Sequence, residues 1–377
     1  MKIYPHIHRI VLFLYRKIGF LNKTRPTLPQ GIRSFNKAEE ENSQILLQDY
    51  HFNLAERISP DVFHNKDLSS FTDLHYPAIK LYTLNRIRVL INKGYMINMR
   101  DKGLYKNSLF LETELIKGEK FFFSLKKQTG QKEAGPASFI YAWNNYYHFY
   151  FDFIFRYLIL SQYKKDIKIY CNKFVSNWQY DVCKIFGIDT ENILFIDSNE
   201  EAYLDFNNYF FISFPGLKDF GFADIKAIQY LNPKIDIKKK ESPERIFIGR
   251  NQAIHRKMVN EAELKTLLEK KYNFTSIQPE KLSVIEQAEL FSNARQIIAI
   301  HGAALTNIIY ASNANIIEIM HERSNPYCFA SLAVAKNCSY NVFKCKGIQN
   351  PKLEFNNFED IIIDIESFDL ALSKHLL

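Results

Sequence analysis

Two residues that can bind a phosphate follow two apolar runs in the second half of the sequence. Arg250 follows RIFIG, and His301 follows QIIAI and precedes the small residues Gly302, Ala303 and Ala304. A short helix-like segment and a second apolar run, IIEIM, come next. A strand, a tight turn and a helix expose backbone N–H groups at the strand end, where the helix dipole also favours an anion. If both strands are parallel in one sheet, both side chains emerge at its ligand-binding edge.

Neighbouring polar residues bear on whether this edge binds a ligand. Arg256 lies in the loop after Arg250, and Arg and His side chains beside a helix N-terminus suit a diphosphate. The alternative is a surface ion pair for Arg250 and a satisfied core histidine at His301. The sequence HGAAL at a strand-to-helix turn favours the ligand site. Glu318 interrupts IIEIM, where its carboxylate can accept ribose or sugar hydroxyls or pair with a nearby base.

A second candidate group lies in the aromatic-rich segment YYHFYFDFIFRYLIL, which predicts a buried helix over residues 147–163. His148, Asp152 and Arg156 are spaced i, i+4, i+8 and share one face of this helix. Because burying unpaired charge is costly, this face must pair internally or line a wet cleft. In a cleft, the carboxylate or imidazole can act as the base for transfer to a hydroxyl. The alternative is an Asp152–Arg156 ion pair beside a capped His148.

Several common enzyme motifs are absent from the sequence. It contains no GxGxxG fingerprint, no GxxxxGK[ST] loop, no GxSxG elbow and no HExxH. No DxD is present to hold a divalent ion against a diphosphate, and the five cysteines form no CxxC pair or metal-ligand spacing. We therefore expect no metal and no cofactor, and we interpret the cysteines as reduced in a cytosolic protein. We also expect no membrane-spanning segment and no secretory signal.

The net charge of +8 comes from the N-terminal part of the chain. Eight basic residues precede the first acidic residue, Glu39, and the remaining 41 basic residues balance the 41 acidic ones. A basic face for nucleic acid is therefore not expected. Apolar residues recur at helical spacing within residues 1–25. Basic residues recur every seventh position on another face: Lys2, Arg9, Arg16 and Lys23. This arm can lie on an anionic membrane surface or pack as a first helix on its own protein.

Elements that position these residues alternate along the chain, which predicts an α/β fold with parallel strands. We expect three parts: an arm and polar connector (1–44) and two α/β domains (45–235 and 243–377) facing across a cleft. A polar linker, residues 233–244, joins the two domains. In the second domain, Asn260 is expected to cap a helix, and Ser283 opens a capping box. The predicted strands are Ile167–Cys171, Ile193–Ile196, Arg245–Ile248, Phe274–Ile277, Gln296–Ile300, Ile316–Met320 and Tyr340–Phe343; the predicted helices are Trp178–Phe186, Glu261–Tyr272, Ser283–Ala294 and one ending the tail.

Four segments, in this order and spacing, resemble glycosyltransferase family 61: Asn144–Leu160, Glu244–Leu264, Leu282–Ala311 and Asn315–Met320. The resemblance implies a GT-B fold, with two Rossmann-like domains facing across a cleft and the donor nucleotide held by the second. It also implies an inverting transfer from a nucleotide-sugar, and metal-independent chemistry is usual for such folds. Gly249 stands where a Ser often precedes the motif Arg, which affects backbone freedom more than chemistry.

Residue by residue, the resemblance assigns these positions to the donor site: Arg250, Arg256, His301, Gly302, Ala303, Leu305 and Asn307. We add Ala304 and Glu318 from the sequence pattern. His148, Asp152 and Arg156 match the first-domain helix, in which an acidic residue is common at the position of Asp152. Asp152 is therefore the first candidate for the base and His148 the second, with Arg156 on the acceptor side.

These expectations combine into one predicted function. The chain is expected to move a sugar from a nucleotide-sugar to a hydroxyl of a glycan or lipid-linked acceptor, in capsular or O-antigen polysaccharide synthesis. It is expected in the cytoplasm or at the inner face of the cell membrane, held there through residues 1–25. One alternative is a transferase that uses another phosphate-bearing donor. The other is a non-catalytic, membrane-docked polysaccharide assembly protein.

Overall fold

The computed structural model describes residues 31–59, 63–108, 129–197, 202–216, 222–234, 237, 242–250, 253–324, 327–348 and 359–376. These residues form a nine-stranded sheet, a six-stranded sheet and a two-stranded sheet, with helices packed between and around them. The predicted α/β class is confirmed.

The first half of the chain builds the nine-stranded sheet. The strands of this half of the chain are β1 (Gly31–Arg33), β2 (Gln44–Leu47), β3 (Tyr50–Phe52), β4 (Leu74–Tyr76), β5 (Ile79–Leu90), β6 (Tyr95–Asn98), β7 (Gly103–Tyr105), β8 (Thr129–Phe139), β9 (Lys168–Asn172), β10 (Ile193–Ile196) and β11 (Ala202–Ile212). β3 and β4 form the two-stranded sheet, and the others follow the order β1-β7-β6-β5-β11-β8-β9-β10, with β2 also paired to β5.

Strand direction divides this sheet into two parts. β11, β8, β9 and β10 are parallel, as the alternation of strands and helices predicts. β5, in contrast, pairs antiparallel with β2, β6 and β11. For β6 the reason is local, because a tight turn with Gly94 at φ 70° folds it straight back onto β5. The Rossmann-like description therefore suits only the parallel part.

Eight α-helices accompany the sheets in the described residues, counting as one a helix that changes type along its length. They are α1 (Lys37–Glu41), α2 (Tyr146–His148, then the π-helical turn Phe149–Ile154, then Phe155–Tyr163), α3 (Asn177–Ile185), α4 (Ile225–Tyr230), α5 (Glu261–Tyr272), α6 (Val284–Asn293), α7 (Cys328–Ala335) and α8 (Ile365–Leu376). The predicted buried helix over residues 147–163 is confirmed. Its middle was predicted only as helix, and the π-helical turn places one extra residue in the stretch that contains Asp152.

The second half builds the six-stranded sheet. Its strands are β12 (Arg245–Ile248), β13 (Thr275–Ile277), β14 (Gln296–Ile300), β15 (Asn315–His321), β16 (Ser339–Gly347) and β17 (Ile361–Ile362). They follow the order β13-β12-β14-β15-β16-β17, and all pairs are parallel except β16 with β17. Chain order reverses between β12 and β14. In open parallel sheets, ligands bind in the crevice outside the strand ends at such a switch point.

Two predicted helix caps have different outcomes. The capping box at the start of α6 is confirmed, because Ser283 Oγ accepts from the Glu286 N–H at 3.3 Å and Glu286 accepts from the Ser283 N–H at 2.8 Å. Asn260 occupies the N-cap position of α5 as predicted, but its side chain makes no capping hydrogen bond. Asn260 instead exchanges two hydrogen bonds with the backbone of Ile363, at 2.9 and 3.1 Å, which fastens the start of α5 to the chain just before α8.

A short piece of the first half pairs with the second sheet. The His64 N–H donates to the Val342 carbonyl at 2.9 Å, and the Lys344 N–H donates to His64 Nδ1 at 2.8 Å. The Asn65 amide lies beside them, bonded to the Val342 N–H at 2.9 Å and to Asn341 at 3.0 Å. The two halves are therefore joined by direct contacts as well as by the linker.

Of the N-terminal predictions, those for the arm concern residues outside the described ranges, and those for the connector concern residues partly inside them. The basic arm, residues 1–25, lies outside the described residues, and so does part of the linker. The connector is structured from residue 31 onward, because β1 joins the nine-stranded sheet and Arg33 bonds Glu39 at 2.8 Å and Asp101 at 2.7 Å. Within the described ranges, no helix combines the length and apolar character needed to cross a membrane.

Candidate functional site

A cavity of about 550 Å³ lies at the carboxyl ends of β13, β12 and β14, at the switch point. The second half supplies most of its wall, including Gly249 and Arg250 after β12 and the turn residues after β14. The first half closes the other side with Tyr146 of α2 and with Trp178 and Asp181 of α3. The cavity therefore lies between the two halves, beside the strand ends from which a phosphate site was predicted.

Arg250 and the turn after β14 converge in this place. The Arg250 guanidinium lies directly against Gly302, so that a Cβ added there would overlap with Nη1 and lie 3.1 Å from Cζ. Ala303 and Ala304, which follow Gly302, line the cavity. A small residue at position 302 is thus required for the guanidinium to approach the backbone of the turn. Backbone N–H groups of that turn and the guanidinium can then bind one anion.

The surroundings of Arg250 disfavour its positive charge. Burial and the neighbouring Arg256 lower the pKa of Arg250 to about 10, and Glu261 opposes this shift. Its Nε is buried without a hydrogen-bond partner among the described residues, whereas Nη2 donates to the His255 carbonyl at 3.2 Å. An anion would relieve both the desolvation and the repulsion between the two arginines.

Arg256 lies close to this group but does not line the cavity. Its backbone is left-handed, with φ 58°, and such a conformation is uncommon for a residue with a side chain. Burial lowers the pKa of Arg256, and the charge of Glu318 opposes this shift. Its Nε is also buried without a partner in the described part of the chain. Arg256 is therefore a second cation near the same edge of the sheet.

Glu318 pairs with His301. Of the two predicted roles of this carboxylate, binding sugar hydroxyls or pairing with a nearby base, the structure therefore shows the second. His301 Nδ1 hydrogen-bonds to Glu318 Oε1, and the Tyr340 hydroxyl donates to Oε2. Glu318 is completely buried, whereas His301 is 8% exposed. Because Nδ1 is engaged, Nε2 is the ring nitrogen that remains for another partner. Glu318 thus orients His301, and neither residue lines the cavity.

Leu305 and Asn307 support the turn from inside the protein. Both are completely buried in the 3₁₀ helix Ala303–Tyr310. The Asn307 side chain accepts from the Tyr146 hydroxyl at 2.9 Å and donates to Gln287 at 2.7 Å. Neither residue lines the cavity. Their place in the expected donor site is therefore indirect in this structure.

His148 and Asp152 form a hydrogen-bonded pair on α2. His148 Nδ1 lies 2.8 Å from Asp152 Oδ2, and the side chains are 24% and 3% exposed respectively. Asp152 therefore pairs with His148, and the alternative of an Asp152–Arg156 ion pair is wrong. An almost fully buried carboxylate cannot approach a substrate hydroxyl, but it can orient an imidazole that does. Of the two candidate bases, His148 is therefore the more accessible.

Arg156 lies deeper on the same helix face. It is 4% exposed, and its guanidinium lies over the rings of Phe214 at 4.5 Å and Phe211 at 5.0 Å. Burial lowers the pKa of Arg156, while Tyr209 and Asp152 raise it. The expected position on the acceptor side corresponds to a buried, aromatic-packed cation one turn beyond the His148–Asp152 pair.

Several cavity residues were not found from the sequence. Tyr146, Trp178 and Glu261 line the cavity although no motif marks them. Tyr146 and Trp178 pack together with ring centroids 5.2 Å apart, at the first turns of two different helices. The signal available was position alone, because each of the three lies where a helix begins at a strand's carboxyl edge.

Within the part of the chain that the structure describes, no set of three or more His, Cys, Asp or Glu side chains is arranged to hold a metal ion. The five cysteines are all described, and none forms a disulfide.

Part of the chain is similar to known proteins. Residues 146–317 match the family model of Glycosyltransferase 61. The EGF domain-specific O-linked N-acetylglucosamine transferase of Drosophila melanogaster is 26% identical over 123 residues, which are 32% of this chain and 24% of that protein. The chain thus aligns with about a quarter of that relative's length.

One solved structure shows a distant similarity. The bacterial iron-containing dodecameric glycosyltransferase TibC from enterotoxigenic E. coli is 12% identical, with a TM-score of 0.29. The similarity covers 70% of this chain and 78% of TibC.

Proposed function

We propose that the chain is a member of glycosyltransferase family 61, whose family model residues 146–317 match, and that it transfers a sugar from a nucleotide-sugar to a hydroxyl of a glycan or lipid-linked acceptor. One observation carries the proposal. The Arg250 guanidinium and the turn at Gly302 converge beside a cavity at the switch point of a parallel sheet. Such a site suits the diphosphate of a nucleotide-sugar.

The proposed reaction is a single displacement that inverts the anomeric centre. His148 takes the proton of the acceptor hydroxyl while Asp152 accepts a hydrogen bond from Nδ1 and fixes the ring. The acceptor oxygen forms the new bond to the anomeric carbon as the bond to the diphosphate oxygen breaks. The leaving diphosphate gains charge, which Arg250, His301 and the backbone of the turn stabilise.

A GT-B arrangement is part of the proposal. It is supported by two separate sheets, by a cavity with walls from both halves, and by the direct contacts between α2 and the 3₁₀ helix Ala303–Tyr310. In this arrangement the second half holds the donor, and the face of α2 that carries His148 meets the acceptor.

The biological setting is proposed from the sequence. We place the enzyme in capsular or O-antigen polysaccharide synthesis, in the cytoplasm or on the inner face of the cell membrane. The basic residues within 1–25 would attract an anionic surface and so bring the enzyme to a lipid-linked acceptor. Binding to vesicles with and without anionic lipid, for the full chain and for a chain lacking residues 1–25, tests this placement.

The test of the main proposal is donor hydrolysis and transfer across a panel of nucleotide-sugars. Arg250→Ala is expected to remove activity with every donor and to weaken nucleoside diphosphate binding. Arg295→Ala is the matched control, because Arg295 is exposed in the same half of the chain. Activity is expected to persist in EDTA; its loss would contradict the proposed independence from metals.

The same assays separate the alternatives. Turnover with a phosphate-bearing donor that carries no sugar would support the second kind of transferase. A protein that binds no nucleoside diphosphate and turns over no donor would support the non-catalytic assembly role. A wild-type chain that hydrolyses a nucleotide-sugar, together with an inactive but folded Arg250→Ala variant, supports the proposal.

A further inference from the structure

We propose that Glu261 binds the ribose of the donor nucleotide and selects ribonucleotides over 2′-deoxyribonucleotides. This inference rests on the function proposed above and adds a specificity-determining residue to it.

The position of Glu261 is set by β12 and by a glycine. Glu261 is the first residue of α5, lines the cavity and is 9% exposed. Its Oε2 accepts a hydrogen bond from the Arg250 N–H at 2.8 Å. A Cβ added at Gly249 would overlap with Oε1 and lie 2.6 Å from Cδ. Glycine at position 249 therefore makes room for this carboxylate at the end of β12, so its effect exceeds backbone freedom alone.

The strand order places this carboxylate between two different surfaces of the cavity. On one side, β14 ends in the turn at Gly302, which suits a diphosphate. On the other side, β13 ends at Ile277, followed by Gln278 and Pro279, which offer an apolar surface and an amide. Neighbouring strands lie about 4.8 Å apart, so the cavity spans two strand spacings, roughly 10 Å, from anion turn to apolar wall. A nucleoside diphosphate carries its phosphates, ribose and base in that same order.

The chemistry of the position favours a sugar diol. An ionised carboxylate accepts hydrogen bonds and donates none, so of the groups of a nucleoside diphosphate it can bind the hydroxyls but not the phosphates. The vicinal hydroxyls of ribose can supply such donors. Glu318, the other carboxylate considered for this role, is occupied by His301 and Tyr340 and is completely buried. Among the two, only Glu261 lines the cavity.

The experiment compares the dissociation constants of ribonucleoside diphosphates with those of their 2′-deoxy counterparts, measured by calorimetry on the full chain. Wild type is expected to bind the preferred ribonucleotide about 10- to 100-fold more tightly, because the deoxy compound lacks a hydrogen bond to a charged group. Glu261→Ala is expected to bring this ratio close to one. Glu263→Ala, exposed two residues further along the same helix, should keep the wild-type ratio.

A second variant, Gly249→Ala, tests the inference if Glu261→Ala does not fold. Gly249→Ala keeps the carboxylate but displaces it, and it is expected to lower the ratio as Glu261→Ala does. An unchanged ratio in either folded variant overturns the inference and leaves the proposed function intact. A wild-type protein that binds ribo- and deoxyribonucleotides equally overturns it too. Failure of wild type to bind any nucleoside diphosphate overturns the proposed function, and the inference with it.

Discussion

The guanidinium of Arg250 lies against the backbone of Gly302, although 52 positions of sequence separate the two residues. The contact exists because β12 and β14 are adjacent and parallel, with Ile248 opposite Ala299, so that both chains leave the sheet at the same edge. Gly302 has an extended backbone, and the requirement for glycine there is steric. The cation and the turn are thus held together by the sheet itself.

Gly302→Ala should therefore act on donor binding more than on folding. The added methyl group would push the guanidinium away from the turn, and the affinity for nucleoside diphosphates should fall at least about 10-fold, the effect of losing one charge-assisted hydrogen bond. Calorimetry gives the affinity, and thermal unfolding checks the fold.

Gly135→Ala is the control for this substitution, because an added Cβ there meets its nearest neighbour, Glu133 Oε1, at 3.3 Å, far from the cavity. Wild-type affinity in Gly302→Ala would show that the contact with Arg250 plays no part in binding.

What the sequence predicted well was the second sheet. Runs such as QIIAI and IIEIM are apolar on successive positions because both faces of a central parallel strand are buried, and this pattern can be read without knowing the fold. The strand ends at Arg250 and His301 followed directly from these runs. The antiparallel part of the first sheet was missed, because β5 pairs with β11, a segment far from it in sequence, and only the β5–β6 hairpin carries a local signal, the tight turn at Gly94.

Side-chain partners were less accessible to sequence reasoning. Glu318 could bind a ligand or a base, and only the neighbouring strands, which bring His301 and Tyr340 to it, decide the matter. Asp152 has two ionisable neighbours at helical spacing and pairs with His148, not with Arg156. Spacing limits the possible partners of a charged residue, but burial and the surrounding packing select among them.

The His148–Asp152 pair predicts which of two substitutions lowers the transfer rate more. If His148 is the base, His148→Ala should lower the transfer rate about 10²- to 10⁴-fold and leave donor binding unchanged. Asp152→Asn should lower it less, because asparagine still fills the site beside Nδ1 while no longer stabilising a protonated ring. Single-turnover transfer and nucleotide titration measure the two properties separately.

Asp166→Asn, an exposed substitution just beyond the end of α2, is the control and should resemble wild type. The opposite order, an inactive Asp152→Asn with an active His148→Ala, would return the role of base to Asp152.

The hydrogen bonds of Asn307 link the two halves of the chain. We expect their loss to be measurable as a loss of stability. Asn307→Ala leaves the Tyr146 hydroxyl and the Gln287 amide without this partner in a partly buried place, which should lower the free energy of unfolding by about 1–3 kcal/mol. Because Gln287 and Tyr146 both line the cavity, donor affinity should fall as well. Urea unfolding and calorimetry measure the two effects.

Gln229→Ala, an exposed substitution on α4, should stay within about 0.5 kcal/mol of wild type. Loss of stability in Asn307→Ala with unchanged donor affinity would restrict the hydrogen bonds of Asn307 to a structural role.

The last prediction concerns stability against acid in the first sheet. Glu133 on β8 accepts hydrogen bonds from the Tyr170 hydroxyl at 2.5 Å, from the Gly135 N–H at 2.9 Å and from Lys168 at 3.0 Å. These bonds, with that from Tyr170 the largest cause, lower the pKa of Glu133 from 4.5 to about 2. Its carboxylate therefore stabilises the folded state above the ordinary pKa, and this contribution is lost as the pH falls toward 2.

Glu133→Gln should accordingly be less stable than wild type at neutral pH, and the difference should narrow as the pH falls below about 4.5. Tyr170→Phe removes the main cause of the lowered pKa, so its stability should depend less steeply on acid than that of wild type. Urea unfolding at a series of pH values between neutrality and the acid range measures both curves. Parallel curves for wild type and Glu133→Gln would mean that the carboxylate gains nothing from these partners, because only a pKa that differs between the folded and unfolded states makes stability depend on pH.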